Sequence, residues 1–110
     1  MPLYKRVRIE VFIPDLPNPA YQQLLRELAN ELTYTFGGCT ISSNRGQYLS
    51  ALGMIIPDPV HILFTDTALR LEQDRQALAR YLREVKDSVV EALSSEEAVL
   101  ITAYPVYHAE

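Results

Sequence analysis

Three observations predict an α+β fold in which a four-stranded antiparallel sheet carries both helices on one face. A stretch over residues 4–13 alternates like a strand with one apolar side. Two stretches of helical periodicity, over about 19–36 and 74–93, are separated by strand-like runs. The whole order is strand, helix, strand, strand, helix, strand within 110 residues. Helices spread over both faces of so small a sheet would leave each face half covered, so the compact arrangement puts both on one side. The right-handed crossover rule favours the same path. This is the ferredoxin-like βαββαβ topology, expected as a single domain over 1–110.

In the first strand Val7, Ile9, Val11 and Ile13 point one way, and Arg6, Arg8, Glu10 and Phe12 the other. A Pro-rich segment stops it. Asn18 suits a helix N-cap and Pro19 the first helical position, where a missing N–H costs nothing. Tyr21, Leu24, Leu25, Leu28, Leu32 and Phe36 share one helical side,. Gly37 suits the left-handed position past a helix end. A second strand covers Cys39 to Ser42, and the run Ser43-Asn44-Arg45-Gly46 turns the chain before Gln47-Tyr48-Leu49,. Residues 50–59 read as a loop, or a short strand at Met54-Ile55-Ile56. The run from Val60 to Thr65 is a strand, with Asp66 and Thr67 as turn and cap residues. The second helix buries Leu78, Tyr81 or Leu82, Val85, Val89 and Leu93, and ends at Ser94-Ser95-Glu96-Glu97. A last strand runs from Ala98 to Tyr104.

Composition narrows the functional classes. A net charge of −4 argues against a nucleic-acid partner, which needs a basic surface,. No apolar run is long enough to span a membrane, and the N-terminus lacks the apolar stretch of a secretory signal. The single cysteine, Cys39, fits a reducing, cytoplasmic setting,. His61 and His108 have no ligand partners at metal-binding spacing, so neither a metal nor another cofactor is expected. The glycines form no phosphate-binding signature.

With both helices on one face, the other face is expected to present Arg6, Arg8, Glu10 and Phe12, then His61, Leu63 and Thr65, then Leu100, Thr102 and Tyr104. An apolar patch of that size calls for cover. The expectation is a homo-oligomer, a dimer first of all, with Arg6, Arg8, Phe12, Leu63, Leu100 and Tyr104 at its interface. A small ligand or protein partner is expected beside it, with Arg45, Tyr48, His61 and Tyr104 as candidate ligand-binding groups. The reading leans against an enzyme and names no catalytic residue. The alternative is a small dimeric enzyme acting on an organic molecule in a sheet-lined cleft. A minor one is a tautomerase using Pro2 as an N-terminal base.

The phrase Phe-Gly-Gly-Cys-Thr…Arg-Gly-Gln-Tyr, followed by Val-His-Ile-Leu-Phe-Thr-Asp and later Glu-Glu-Ala-Val-Leu-Ile, resembles an uncharacterised bacterial family of ferredoxin-like domains. Those carry Gly-Gly-x-Thr, then Gly-Gln-Trp or Gly-x-Tyr, then a late Glu-x-Val-Leu strand. Tyr48 stands where many have Trp. The resemblance implies the fold and no activity. The chain is more loosely similar to the trimeric PII-like and CutA-like proteins, which also place a Gly-x-Thr strand and a long loop after the first helix. The basic, Gly-rich nucleotide signature of PII proteins is missing, so the resemblance does not extend to ATP.

Overall fold

A computed structural model describes residues 2–93 and 99–109. The elements run β1 (Leu3–Pro14), α1 (Pro19–Phe36), β2 (Thr40–Asn44), β3 (Gln47–Leu49), β4 (Ile55–Pro57), β5 (Val60–Thr67), α2 (Arg75–Leu93) and β6 (Leu100–Ala109). Strands β2, β5, β1 and β6, in that spatial order, make one antiparallel sheet. Strands β3 and β4 form a separate hairpin between β2 and β5. The fold is ferredoxin-like, as the element order predicts.

The core lies between the sheet and the helices. Val7, Ile9, Val11 and Ile13 of β1 are buried there with Leu63 of β5. Leu24, Leu28 and Leu32 of α1 and Leu78, Val85 and Val89 of α2 close over them. Each such side chain contributes about 1.5–3 kcal/mol by leaving water. Phe36 and Tyr81 meet edge to face at 5.3 Å and join the helices to each other,.

Local chemistry sets the element ends. The Asn18 side chain accepts the Ala20 N–H at 2.9 Å, and Pro19 opens α1,. Gly37 closes α1 at φ 96°, its N–H donating to the Thr33 carbonyl at 2.8 Å,. Thr65 and Thr67 are buried polar residues with assigned partners. Thr65 Oγ1 donates to the Gly38 carbonyl, and Thr67 Oγ1 accepts the Leu69 N–H. Gly46 lies where β2 leaves the sheet. A Cβ there would stand 2.7 Å from the Asp58 carbonyl oxygen, so only glycine allows the Asp58 N–H to reach the Gly46 carbonyl,.

Of the two readings left open for residues 50–59, the structure takes the short strand: β4 spans Ile55–Pro57 and pairs with β3. The structure corrects the sequence reading in three places. Strand β5 does not stop at Thr65 but continues through Asp66 to Thr67. Strand β6 passes Tyr104 and Pro105 and ends at Ala109; Pro105 is tolerated because β6 is an edge strand,. The third correction concerns which way β5 faces. Leu63 pairs opposite Val11 and is fully buried beneath the helices, so it is a core residue and not an interface residue. Ile62, Phe64 and Asp66 take the open face instead. The expected helix stop at Ser94–Glu97, the start of the last strand at Ala98, and Met1 lie outside the described residues.

Candidate functional site

The uncovered face of the sheet is built around β1. Register places Arg8 between Asp66 of β5 and Tyr104 of β6, Glu10 between Phe64 and Thr102, and Phe12 between Ile62 and Leu100. Side chains alternate across a strand, so these residues share one face. The result is an apolar band of Phe12, Ile62, Phe64 and Leu100 beside a chain of charged and polar groups.

That chain consists of two hydrogen-bonded groups set side by side where Arg8 and Tyr104 pair. Arg8 Nε donates to Asp66 Oδ1 at 2.6 Å and Arg8 Nη2 to Asp66 Oδ2 at 2.9 Å, a two-point clamp,. The guanidinium carbon lies 4.4 Å from the centre of the Phe64 ring,. His108 Nε2 stands 2.6 Å from Asp66 Oδ2. Tyr104 donates its hydroxyl hydrogen to Glu10. The Arg8 hydrogen bond holds the Asp66 carboxyl below the usual aspartate range, against the upward push of burial and with help from His108. In return Asp66 binds the proton on Arg8 more firmly than usual. The Glu10 hydrogen bond raises the Tyr104 phenol,.

A second cluster sits where β1 ends and β5 begins. Ser43 and His61 are directly opposed on β2 and β5, and Ser43 Oγ lies 3.1 Å from His61 Nδ1. On its other side, His61 Nε2 is 3.1 Å from Asp15 Oδ1. The imidazole therefore bridges a hydroxyl and a carboxylate. The Asp15 N–H bonds the Pro59 carbonyl at 2.9 Å, which fixes the loop that brings the carboxylate there.

The four candidate ligand residues do not converge within one subunit. His61 pairs opposite Ile13, so its side chain leaves the sheet on the helix side, whereas Tyr104 stands on the open side. Arg45 occupies the turn between β2 and β3, and Tyr48 pairs opposite Ile56 on the hairpin. Of the six interface candidates, Arg6, Arg8, Phe12, Leu100 and Tyr104 fall on the open face; Leu63 does not. Sequence reasoning missed Asp66, Glu10 and His108 as members of the polar chain. The missed signal was in β1 itself: Arg8 on the open phase requires a carboxylate opposite, and Asp66 is the acid that β5 can supply once it is read through to Thr67. Hairpin residues Leu49, Leu52, Met54 and Ile55 are exposed and make an apolar arm.

Cys39 is half-buried against the core, and burial raises its thiol above the ordinary value, which disfavours the reactive thiolate,. Among the described residues no group of three or more His, Cys, Asp or Glu is placed to hold a metal. No described helix is long and apolar enough to cross a membrane.

No family model matches the sequence, and no curated protein matches it. Solved structures do match in shape. A phage SAM lyase in complex with S-methyl-5'-thioadenosine superposes with a TM-score of 0.58 at 11% identity, over 94% of this chain and 90% of that one. CPII from Thiomonas intermedia K12, bound to ADP, AMP and acetate, superposes with a TM-score of 0.54 at 16% identity, over 100% of this chain and 94% of that one. CPII is described as a nitrogen regulatory PII-like protein. At these identities the likeness is one of fold.

Proposed function

We propose that this chain is a cytoplasmic, ferredoxin-like homo-oligomer, a dimer in its simplest form, that binds a small ligand at the margin of its subunit interface. The observation that carries this reading is the open face. It pairs an apolar band with a polar chain whose members already satisfy one another. Among the described residues no buried side-chain nitrogen or oxygen lacks a partner. Covering such a face removes Phe12, Ile62, Phe64 and Leu100 from water without stranding the Arg8–Asp66 pair, because its hydrogen bonds are made beforehand. A second copy of the same face is the partner that symmetry favours.

The ligand reading draws on Arg45 and Tyr48, at the base of the hairpin, and on Tyr104 of the open face. They lie apart in one subunit, and a neighbouring subunit could close the distance. Two proteins of the same fold were captured with small ligands, one with ADP, AMP and acetate and the other with S-methyl-5'-thioadenosine. This supports small-molecule binding as a use of the fold and does not specify the ligand here. The second reading, an enzyme acting on an organic molecule in a sheet-lined cleft, is favoured by one observation: the Ser43–His61–Asp15 chain supplies an imidazole held between a hydroxyl and a carboxylate.

Native mass spectrometry of untagged protein from its own host tests the proposal. The expected result is a closed oligomer, with an additional small mass retained in proportion to subunits. A monomer with nothing bound would contradict it.

A further inference from the structure

The end of the sheet away from His61 carries a different surface. Strand β1 pairs with β6 from Leu3 but with β5 only from Val7. Residues 3–6 therefore overhang the end of β5, and along that edge the backbone groups of alternate residues face no strand. Among the described residues no backbone hydrogen bond links this overhang to the loop over 68–72. Overhang and loop instead wall a cleft of about 420 Å3, lined in part by Tyr4, Lys5, Arg6, Leu69, Arg70 and Glu72.

The charge in this cleft runs against the chain as a whole. Lys5 Nζ and Glu72 Oε1 pair at 3.2 Å. The Arg6 guanidinium carbon lies 5.9 Å from the centre of the Tyr4 ring. Among the described residues, neither Arg6 nor Arg70 has a carboxylate partner for its guanidinium. Two uncompensated guanidinium groups thus border one cleft in a chain of net charge −4. Tyr4 and Leu69 add apolar wall beside them.

We propose that this cleft binds a small organic anion, a carboxylate or phosphate carried on an apolar or aromatic body. Guanidinium groups present paired N–H donors that fit both anions, and unpaired strand-edge N–H groups add more. The volume falls within the range of small-molecule sites. The cleft lies at the opposite end of the sheet from Arg45 and Ser43; Arg6 also borders the open face, and the overhang edge and the loop over 68–72 set this site apart from the ligand groups Arg45 and Tyr48.

The test is an amide ¹H–¹⁵N titration of the full chain with benzoate and, separately, with inorganic phosphate. Saturable shifts at residues 3–6 and 68–72 are expected with at least one probe. A stronger response to benzoate assigns a carboxylate, and a stronger response to phosphate assigns a phosphoryl group. Combining Arg6→Gln with Arg70→Gln is expected to weaken binding about tenfold, while Arg26→Gln, at an exposed position on α1, leaves it unchanged,. Arg70→Gln alone, at an exposed side chain, gives the same reading if the double variant misfolds. Shifts that never saturate, shifts centred elsewhere, or an arginine variant that binds as tightly as the wild type would overturn the proposal.

Discussion

The two faces of the sheet are made from the same four strands, yet they are finished differently. On the helix side Val11 of β1 meets Leu63 of β5 and Ile101 of β6, and the buried polar groups there, Thr65 and Thr67, have their hydrogen bonds made. On the open side, three residues away on the same strand, Arg8 meets Asp66 and Tyr104. The first face is complete within one chain. The second has its Arg8–Asp66–His108 and Glu10–Tyr104 bonds made but leaves aromatic and aliphatic surface uncovered. A face with settled polar groups and unsettled apolar ones is suited to a partner of its own kind, because cover gains apolar burial without breaking hydrogen bonds.

This contrast can be broken first at Leu63. Leu63→Ala is expected to cost about 2–5 kcal/mol in urea denaturation, the range for emptying a packed core position. Leu63→Glu should prevent folding and not merely release a partner. A folded, monomeric Leu63→Glu protein would mean that β5 faces the other way.

A smaller effect is expected on the open face. Arg8→Ala strands the Asp66 carboxylate with only His108, and should lower stability by about 1–2 kcal/mol, read in the same denaturation experiment. No change would show that the clamp contributes nothing to the folded chain.

The Asp66 pair also gives the contrast a pH dependence. A carboxyl held below its ordinary value in the folded state stabilises above the unfolded value, about pH 4, and loses that contribution as pH falls through the lowered one. Stability of the wild type should therefore drop on the acid side of about pH 4. Asp66→Asn should flatten that part of the profile while being less stable at neutral pH.

The smallest effect belongs to the hairpin tip. Leu52 is 88% exposed, so Leu52→Ser should change stability by less than about 0.5 kcal/mol,. A larger loss would place the tip against something the single chain does not contain.

Much of the fold was legible in the sequence because single residues mark it. Asn18, Pro19 and Gly37 bracket α1 at its observed ends, and from Arg6 to Ile13 the alternation of β1 separates core from open face. Strand β5 was harder. Of its two phases, Ile62-Phe64 is the more apolar and His61-Leu63-Thr65 the more polar, so alternation alone turns Ile62 and Phe64 toward the helices, the opposite of what the structure shows. The choice depends on Asp66, which reads locally as a turn residue and is drawn into the strand by Arg8, 58 positions earlier. The site was less legible for the same reason. Glu10–Tyr104, Arg8–Asp66 and Asp66–His108 are all contacts between distant segments, set by register and not by spacing along the chain.

The central claim is that the open face is covered by a second copy of this chain. The most direct measurement is the solution mass, by light scattering after size exclusion, of the wild type beside Leu100→Glu. Leu100 is 55% exposed on the open face, so the charge can be carried there without disturbing the core. The account predicts a closed oligomer for the wild type and a folded monomer for Leu100→Glu. A wild-type monomer, or an oligomer indifferent to the substitution, would contradict it.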